Sequence, residues 1–180
     1  MDIELIPLHE DDIELVRTWR NSKDVAQYMF NEDYITPEQQ QQWFAKISQE
    51  KNSRYWIASY DGTKVGLANI TGINPTFQSA YWGFYVGDTS MRGAGIGNKM
   101  LYNIIQYAFQ ELKLNKLRCE VFVHNDKVVN MYEKFGFRRE AYYREHCIKG
   151  DQKLDVLGLA LLQKEWELLR EGLKQKIYRH

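Results

Sequence analysis

Between Ser79 and Val123 the chain reads strand, glycine-rich loop, helix, strand, and this unit limits the available folds more than any other stretch. The aromatic strand SAYWGFYVG (Ser79 to Gly87) leads into MRGAGIGNKM (Met91 to Met100). Behind the glycines, Leu101, Ile104, Ile105, Ala108 and Leu112 recur at helical spacing. KLRCEVFV (Lys116 to Val123) returns as a strand. On both sides of this unit the signals are those of hairpins. RYWIASY (Arg54 to Tyr60) meets KVGLANITGI (Lys64 to Ile73) across Asp61-Gly62. Tyr142 to Ile148 meets Leu154 to Leu162 across Lys149-Gly150-Asp151. Hairpins around one strand–helix–strand unit call for an α+β, mixed α/β sheet and disfavour a regular parallel wheel.

The remaining elements fit around that sheet. Ile3 to Leu8 reads as a first strand. Asp11 or Asp12 caps a helix that places Ile13, Val16 and Trp19 on one face and ends near Asn21. Thr36-Pro37-Glu38 opens a second helix, with proline at its first position, running through Trp43, Phe44 and Ile47. Asp126 to Phe135 is a short helix closed by Gly136. From about Lys164 the chain reads as a charged tail helix. The expected organisation is one domain over residues 1–163 and a tail helix over 164–180.

Composition excludes several partners. Hydrophobic residues are 44% of the 180, enough for a full core, while 24 Lys and Arg balance 24 Asp and Glu. A balanced chain offers no global field for nucleic acid. The start, MDIELIPLHEDD, is acidic and unlike a leader, and no apolar run approaches the ~20 residues of a membrane span. Cys119 and Cys147 form no C-x-x-C pair, which suits a reduced compartment and small core residues. A cytoplasmic protein without membrane or nucleic-acid partners is the expectation. His124 and His146 stand alone, no H-E-x-x-H spacing occurs, and no metal is expected.

The glycine loop reads as a phosphate site. A helix N-terminus presents unpaired N–H groups and the positive end of its dipole. Glycines let a phosphate approach that backbone, and Arg92 adds a fixed charge. The dinucleotide fingerprint G-x-G-x-x-G fails, because its third position falls on Asn98; the P-loop fails, because Lys99 is followed by Met100. R-x-x-G-x-G fits, as Arg92-Gly93-Ala94-Gly95-Ile96-Gly97.

That loop resembles the pyrophosphate loop of the GNAT superfamily of N-acetyltransferases. HNDKVVNMYEKFGF (His124 to Phe137) is similar to the family's second motif, an Asn followed by Tyr-Glu-Lys-x-Gly-Phe. The resemblance implies the GNAT fold, a mostly antiparallel twisted sheet of about seven strands with a splayed central pair, flanked by helices. It also implies acetyl-CoA as cosubstrate. The amides of Arg92, Gly93, Ala94, Gly95, Ile96 and Gly97 would hold the pyrophosphate. Phe84 and Val86 would pair their backbone with pantetheine, and a bulge allowed by Gly83 or Gly87 would splay the strands. Asn125 would bind pantetheine, with Asn130 and Lys134 toward the adenosine diphosphate end.

Acetyl transfer to an amine needs an oxyanion donor, an acid for the thiolate and a base for the amine. The Val86 N–H is the candidate donor. Tyr132 stands where the family places a tyrosine near the CoA sulfur and is expected to be the general acid. Glu120, an acid in an apolar strand, is the candidate base or substrate ligand, with an ordered water as the other route for that proton.

A finer resemblance concerns the amine. VRTWRNSKDVAQYMF (Val16 to Phe30), QQWF (Gln41 to Phe44), SRYWIASYDGTKVGLANIT (Ser53 to Thr71), YWGFYVGD (Tyr81 to Asp88) and REHCIKG (Arg144 to Gly150) are similar to the N-acetyltransferases of pseudaminic acid biosynthesis, which acetylate a UDP-linked 4-amino-4,6-dideoxy sugar. It implies substrate contacts from Arg20 to the diphosphate, from Tyr28, Met29 and Trp43 to the nucleotide, and from Tyr81 to the sugar. Gln40 stands where related sequences can carry a histidine. The alternatives are a ribosomal-protein N-terminal or polyamine acetyltransferase of the same superfamily, and a non-catalytic CoA-binding protein. A homodimer is compatible with any of these.

Overall fold

The computed structural model describes residues 2–91 and 93–178. A single seven-stranded sheet runs in the order β1-β2-β3-β4-β5-β7-β6. Its strands are β1 (Ile3–Pro7), β2 (Arg54–Tyr60), β3 (Thr63–Asn74), β4 (Ser79–Val86), β5 (Lys116–Phe122), β6 (Arg138–Lys149) and β7 (Gln152–Leu162). Every neighbouring pair is antiparallel except β4 and β5, which the crossover helix makes parallel. The helices are α1 (Ile13–Asn21), α2 (Lys23–Ala26), α3 (Pro37–Ile47), α4 (Ile96–Gln110), α5 (Asp126–Lys134) and α6 (Gln163–Tyr178). This is the mixed α/β sheet expected from the sequence. The short α2 was not anticipated, because four residues carry no readable periodicity.

Local chemistry explains the helix starts. Thr36 and Gln39 form a capping box ahead of Pro37, each side chain bonding the other's backbone N–H. The cap expected at Asp11 or Asp12 is shifted. Asp12 accepts the His9 N–H (3.1 Å) in a capping box around the 3₁₀ turn that precedes α1, and caps nothing in α1 itself. Its other oxygen holds Lys64 Nζ at 2.6 Å, tying that turn to β3.

The two faces of the sheet are covered differently. On one, α4 buries Ile96, Met100, Leu101, Ile104, Ile105 and Ala108 against the strands, joined by Val129, Tyr132 and Phe135 of the α5 region. Trp166 of α6 joins the same core with 0% exposure; its ring lies 5.2 Å from Tyr102 and its N–H donates to Gln106. On the other face, Val16 and Trp19 of α1 pack on Ile57 and Leu67, with Trp43 and Tyr85 at the border.

The β4–β5 pair stops early. Ser79, Ala80 and Tyr81 pair with Lys116, Leu117 and Arg118, and no residue beyond Tyr81 is paired. No register shift falls at Gly83: β3 and β4 keep one register from Thr71↔Tyr81 to Gly66↔Val86, with a shift between Thr71 and Asn74. At Gly87 the N–H groups of Gly87 and Asp88 both donate to Val65 O (2.9 and 3.1 Å), two residues against one, as in a bulge at the end of β4. The strands part where Trp82 and Tyr132 bring two large rings beneath the seam, their centroids 4.8 Å apart. Gly87 also serves close packing. A Cβ there would lie 2.2–2.7 Å from the Trp19 indole, so α1 rests directly on the end of β4.

Gly87→Ala is therefore expected to cost about 1–3 kcal/mol by overpacking. Gly172→Ala, in α6 with nothing within 4 Å of the new Cβ, should be neutral or add up to about 1 kcal/mol. Chemical denaturation of the two variants side by side checks both.

Candidate active site

The parted strands open a cavity of about 1160 Å³ that reaches from α5 and the start of α4 to α1 and α3. Strand alternation gives it two halves. Trp82, Phe84 and Val86 of β4, and Cys119 and Val121 of β5, share the α4–α5 side of the sheet. Gly83 and Tyr85, and Glu120 and Phe122, point to the α1–α3 side.

The first half has the features of a cofactor groove. The Gly87 N–H donates to Val65 O at 2.9 Å, and Tyr85 O lies against Gly66, so both face β3. Alternation then turns the N–H groups of Phe84 and Val86 toward the unpaired edge. Beyond the end of β4, Gly93 and Gly95 adopt φ of 91° and 74°, conformations that L side chains rarely take. Neither has an atom within 4 Å of where a Cβ would stand, so the cradle is open. Gly95 is the N-cap of α4, and Lys99 N to Gly95 O is the first helical bond. The N–H groups of Ile96, Gly97 and Asn98 thus precede any intrahelical acceptor. A pyrophosphate on the loop and an extended chain along β4 suit these groups, so the residues present fit acetyl-CoA.

Tyr132 projects from α5 into the cavity wall, 7% exposed. Burial, with Cys119 nearby, raises its pKa well above the usual tyrosine value, and the phenol keeps its proton at neutral pH. Burial also pushes the Cys119 thiol up, leaving it neutral and unreactive. Glu120 lies on the opposite face of the same gap, half-buried and lining the cavity. An acid on one side and a carboxylate on the other is a usable arrangement for proton transfer across the opening.

The second half is walled by α1, α3, β2 and the segment between α2 and α3. Trp43 meets Tyr55 edge-on at 5.5 Å, and Phe30 meets Phe122 at 4.9 Å. Three residues of this wall carry buried polar atoms without partners among the described residues: Arg20 Nη1, Gln40 Nε2 and the Tyr85 hydroxyl. Arg20 spends its other terminal nitrogen on Asn31 O, and burial lowers its pKa. Burial raises that of Tyr85. The charged lining is balanced, with Arg20, Lys46 and Lys127 against Asp24, Asp33 and Glu120.

The segment over this wall is latched from the far end of the sheet. Lys149, at the tip of the β6–β7 hairpin and with a side chain 10% exposed, donates to Gln27 O (3.1 Å) and Met29 O (3.0 Å). It also pairs with Glu32 at 2.9 Å and sits 5.3 Å over the Phe122 ring. Asn21 holds the other end of the segment by both the N–H and the carbonyl of Ile35.

Ten of the residues singled out from the sequence line this one cavity: Arg20, Tyr28, Met29, Trp43, Phe84, Val86, Gly97, Glu120, Asn125 and Tyr132. Asn125 is the N-cap of α5 but makes no capping bond with its side chain. Gly93, Ala94, Gly95 and Ile96 lie at the α4 start, outside the lining, and Asn130 and Lys134 are exposed on α5. Arg92 falls outside the described residues. Tyr81 departs from expectation: it stands beside the last paired rung with the Arg118 guanidinium 4.3 Å over its ring, and does not line the cavity. The sequence reading missed Trp82, Tyr85 and Phe122 as wall residues. Alternation along β4 and β5 would have placed them, but only once the point of strand separation was known.

Comparison with known proteins agrees with this geometry. Residues 2–138 match the family model described as acetyltransferase (GNAT) domain. The chain is 31% identical over 130 residues to acetyltransferase PseH of Campylobacter jejuni, covering 72% of this chain and 79% of that protein. It is 24% identical over 164 residues to spermidine N(1)-acetyltransferase of Escherichia coli, covering 91% and 88%. Among solved structures, spermidine N-acetyltransferase from Vibrio cholerae in complex with CoA and spermine superposes with a TM-score of 0.86 at 23% identity, over 92% of this chain and 98% of that one. The match of loop, sheet order and family model makes the chain a member of the GNAT acetyltransferase family.

Proposed function

We propose that the protein transfers an acetyl group from acetyl-CoA to the 4-amino group of a UDP-linked 4-amino-4,6-dideoxy sugar. The observation that carries this reading is the set of buried donors on the acceptor wall, Arg20 Nη1, Gln40 Nε2 and Tyr85 OH. Each buried polar group left unmade costs roughly 1–3 kcal/mol, so three of them favour a ligand rich in oxygen acceptors. A diphosphate and a sugar supply such oxygens. Arg20 is then the diphosphate contact, Tyr28 and Trp43 the ring contacts for uracil, and Met29 apolar cover for the 6-methyl group. The resemblance to sugar N-acetyltransferases and the likeness to acetyltransferase PseH support the same substrate.

The chemistry follows from the two faces of the gap. The thioester supplies an activated acetyl carbon. Gly93 to Gly97 hold the pyrophosphate, the Phe84 and Val86 backbone and Asn125 fix the pantetheine arm, and Asn130 and Lys134 lie toward the adenosine end. The amine enters from the Glu120 side, and Glu120 takes its proton, directly or through a water. An N–H of the open β4 edge, that of Phe84 or Val86, donates to the carbonyl oxygen as it gains charge. Tyr132, on the other side, delivers its proton to the departing sulfur. One N–C bond forms, one C–S bond breaks, and both protons move in the same sense, from the Tyr132 face to the Glu120 face, so exchange with solvent resets the two side chains.

A polyamine acceptor is the second reading, favoured by Asp24 and Asp33 in the wall and by the spermidine acetyltransferases among the relatives. A polycation site needs an excess of acid, and this lining is balanced. Acetyl-CoA turnover against UDP-amino sugars, spermidine and a basic peptide separates the readings. Turnover with spermidine alone would sink the sugar assignment.

Trp43→Ala should weaken UDP binding roughly ten- to a hundredfold, since a stacked ring is worth about 1–3 kcal/mol. CoA affinity should stay the same; calorimetry with both ligands checks this, and equal losses would make Trp43 a packing residue.

Tyr132→Phe is expected to lower kcat about a hundredfold, with little change in KM for acetyl-CoA. An unchanged kcat in steady-state kinetics would remove the acid role.

Tyr85→Phe removes a buried hydroxyl that has no partner among the described residues. The unliganded variant should melt at the same temperature or higher, while acceptor KM rises. A lower melting temperature would show that the hydroxyl serves the fold instead.

A further inference from the structure

We infer that Trp82 sets the length of acyl chain that the protein accepts; the inference rests on the acyl-CoA reading of the parted strands. The direction of the bound thioester follows from the fold. The pyrophosphate cradle lies past the C-terminal end of β4, at Gly93 to Gly97. A chain laid along β4 from that cradle therefore points its acyl end back toward the place where β4 and β5 close. That closed end is the Tyr81↔Arg118 rung. Trp82 is the first residue beyond it, and its side chain lies on the cofactor side, in the cavity lining.

Trp82 is a fixed floor. It is 5% exposed, with ring centroids 4.8 Å from Tyr132, 5.2 Å from Phe137 and 6.0 Å from Phe84. An indole held by three other rings cannot swing aside for added methylenes without repacking that cluster. Its N–H is buried and has no partner among the described residues. With the thioester carbonyl at the Phe84 N–H, two residues along β4 from Trp82, a longer acyl chain runs onto the indole and has to displace it. Nothing else at that end yields: Cys119 is buried, and Tyr132 belongs to the same ring cluster.

The test is calorimetric binding of CoA, acetyl-CoA and butyryl-CoA, which needs no acceptor. The unaltered protein should bind butyryl-CoA at least tenfold more weakly than acetyl-CoA. Trp82→Leu should bring the two within about threefold, with CoA affinity unchanged, because CoA carries no acyl group. Trp82→Phe, a smaller cut into the core, should show an intermediate ratio and serves if the leucine variant does not fold. Equal binding of acetyl-CoA and butyryl-CoA by the unaltered protein overturns the inference. So does a full tenfold ratio retained in a folded variant that still binds CoA. Failure of the unaltered protein to bind CoA at all overturns the acyl-CoA reading, and the gate with it.

Discussion

The early end of the β4–β5 ladder is the constraint on which the site depends. Strands in a sheet lie about 4.8 Å apart, a spacing that leaves no room for a ligand between them. Here the parallel pair holds for three rungs and then parts. A backbone edge is thereby left open beside the N-terminus of α4, and both faces of the sheet become reachable from one opening. Glu120 and Tyr132 belong to opposite faces, and in a closed sheet they would be separated by hydrogen-bonded backbone. The gap lets both line one cavity. The cost of opening a ladder is borne by the rest of the sheet. β4 keeps its full pairing with β3, and β5 keeps its own with β7.

The same logic explains the polarity of the acceptor wall. A typical domain is stable by only about 5–15 kcal/mol, so several unpaired donors are a substantial fraction of that margin. Arg20, Gln40 and Tyr85 all belong to elements well fixed by other contacts. Arg20 is bonded to the Asn31 carbonyl, Gln40 follows a capping box, and Tyr85 lies in a strand in unbroken register. The scaffold can therefore hold them in place without their own hydrogen bonds.

Much of the fold was legible because its signals are local. Asp61-Gly62 marks a hairpin, Thr36-Pro37 starts a helix, and Gly136 at φ of 94° ends one. The general family resemblance pointed to Phe84, Val86, Gly97, Asn125 and Tyr132, the finer resemblance to Arg20, Tyr28, Met29 and Trp43, and an acid in an apolar strand to Glu120; all ten line one cavity. What stayed hidden depended on distances along the chain. The parting of β4 from β5 begins just past Tyr81, well before the two-against-one step at Gly87 and Asp88, and it coincides with rings of β4 and α5 meeting under the seam. The resemblance to sugar N-acetyltransferases assigned Tyr81 to the sugar, a reading that carries no information on strand register. The register puts Tyr81 one step short of the opening, under Arg118. Unpaired donors are invisible in a sequence, since only the folded neighbourhood decides which groups find partners.

Lys149 ties together two regions that are far apart in the chain. The segment between α2 and α3 supplies part of the acceptor wall, yet one of its main latches comes from the β6–β7 hairpin, through Gln27, Met29 and Glu32. The segment is thus held by a residue more than a hundred positions away in the chain. Exchange of the first fifty residues with those of a relative would transplant the segment and the side chains of α1 and α3, but neither the clasp nor the strand side of the wall. In divergence, a change in acceptor preference is expected to draw in the hairpin tip as well, so the two segments should vary as a pair.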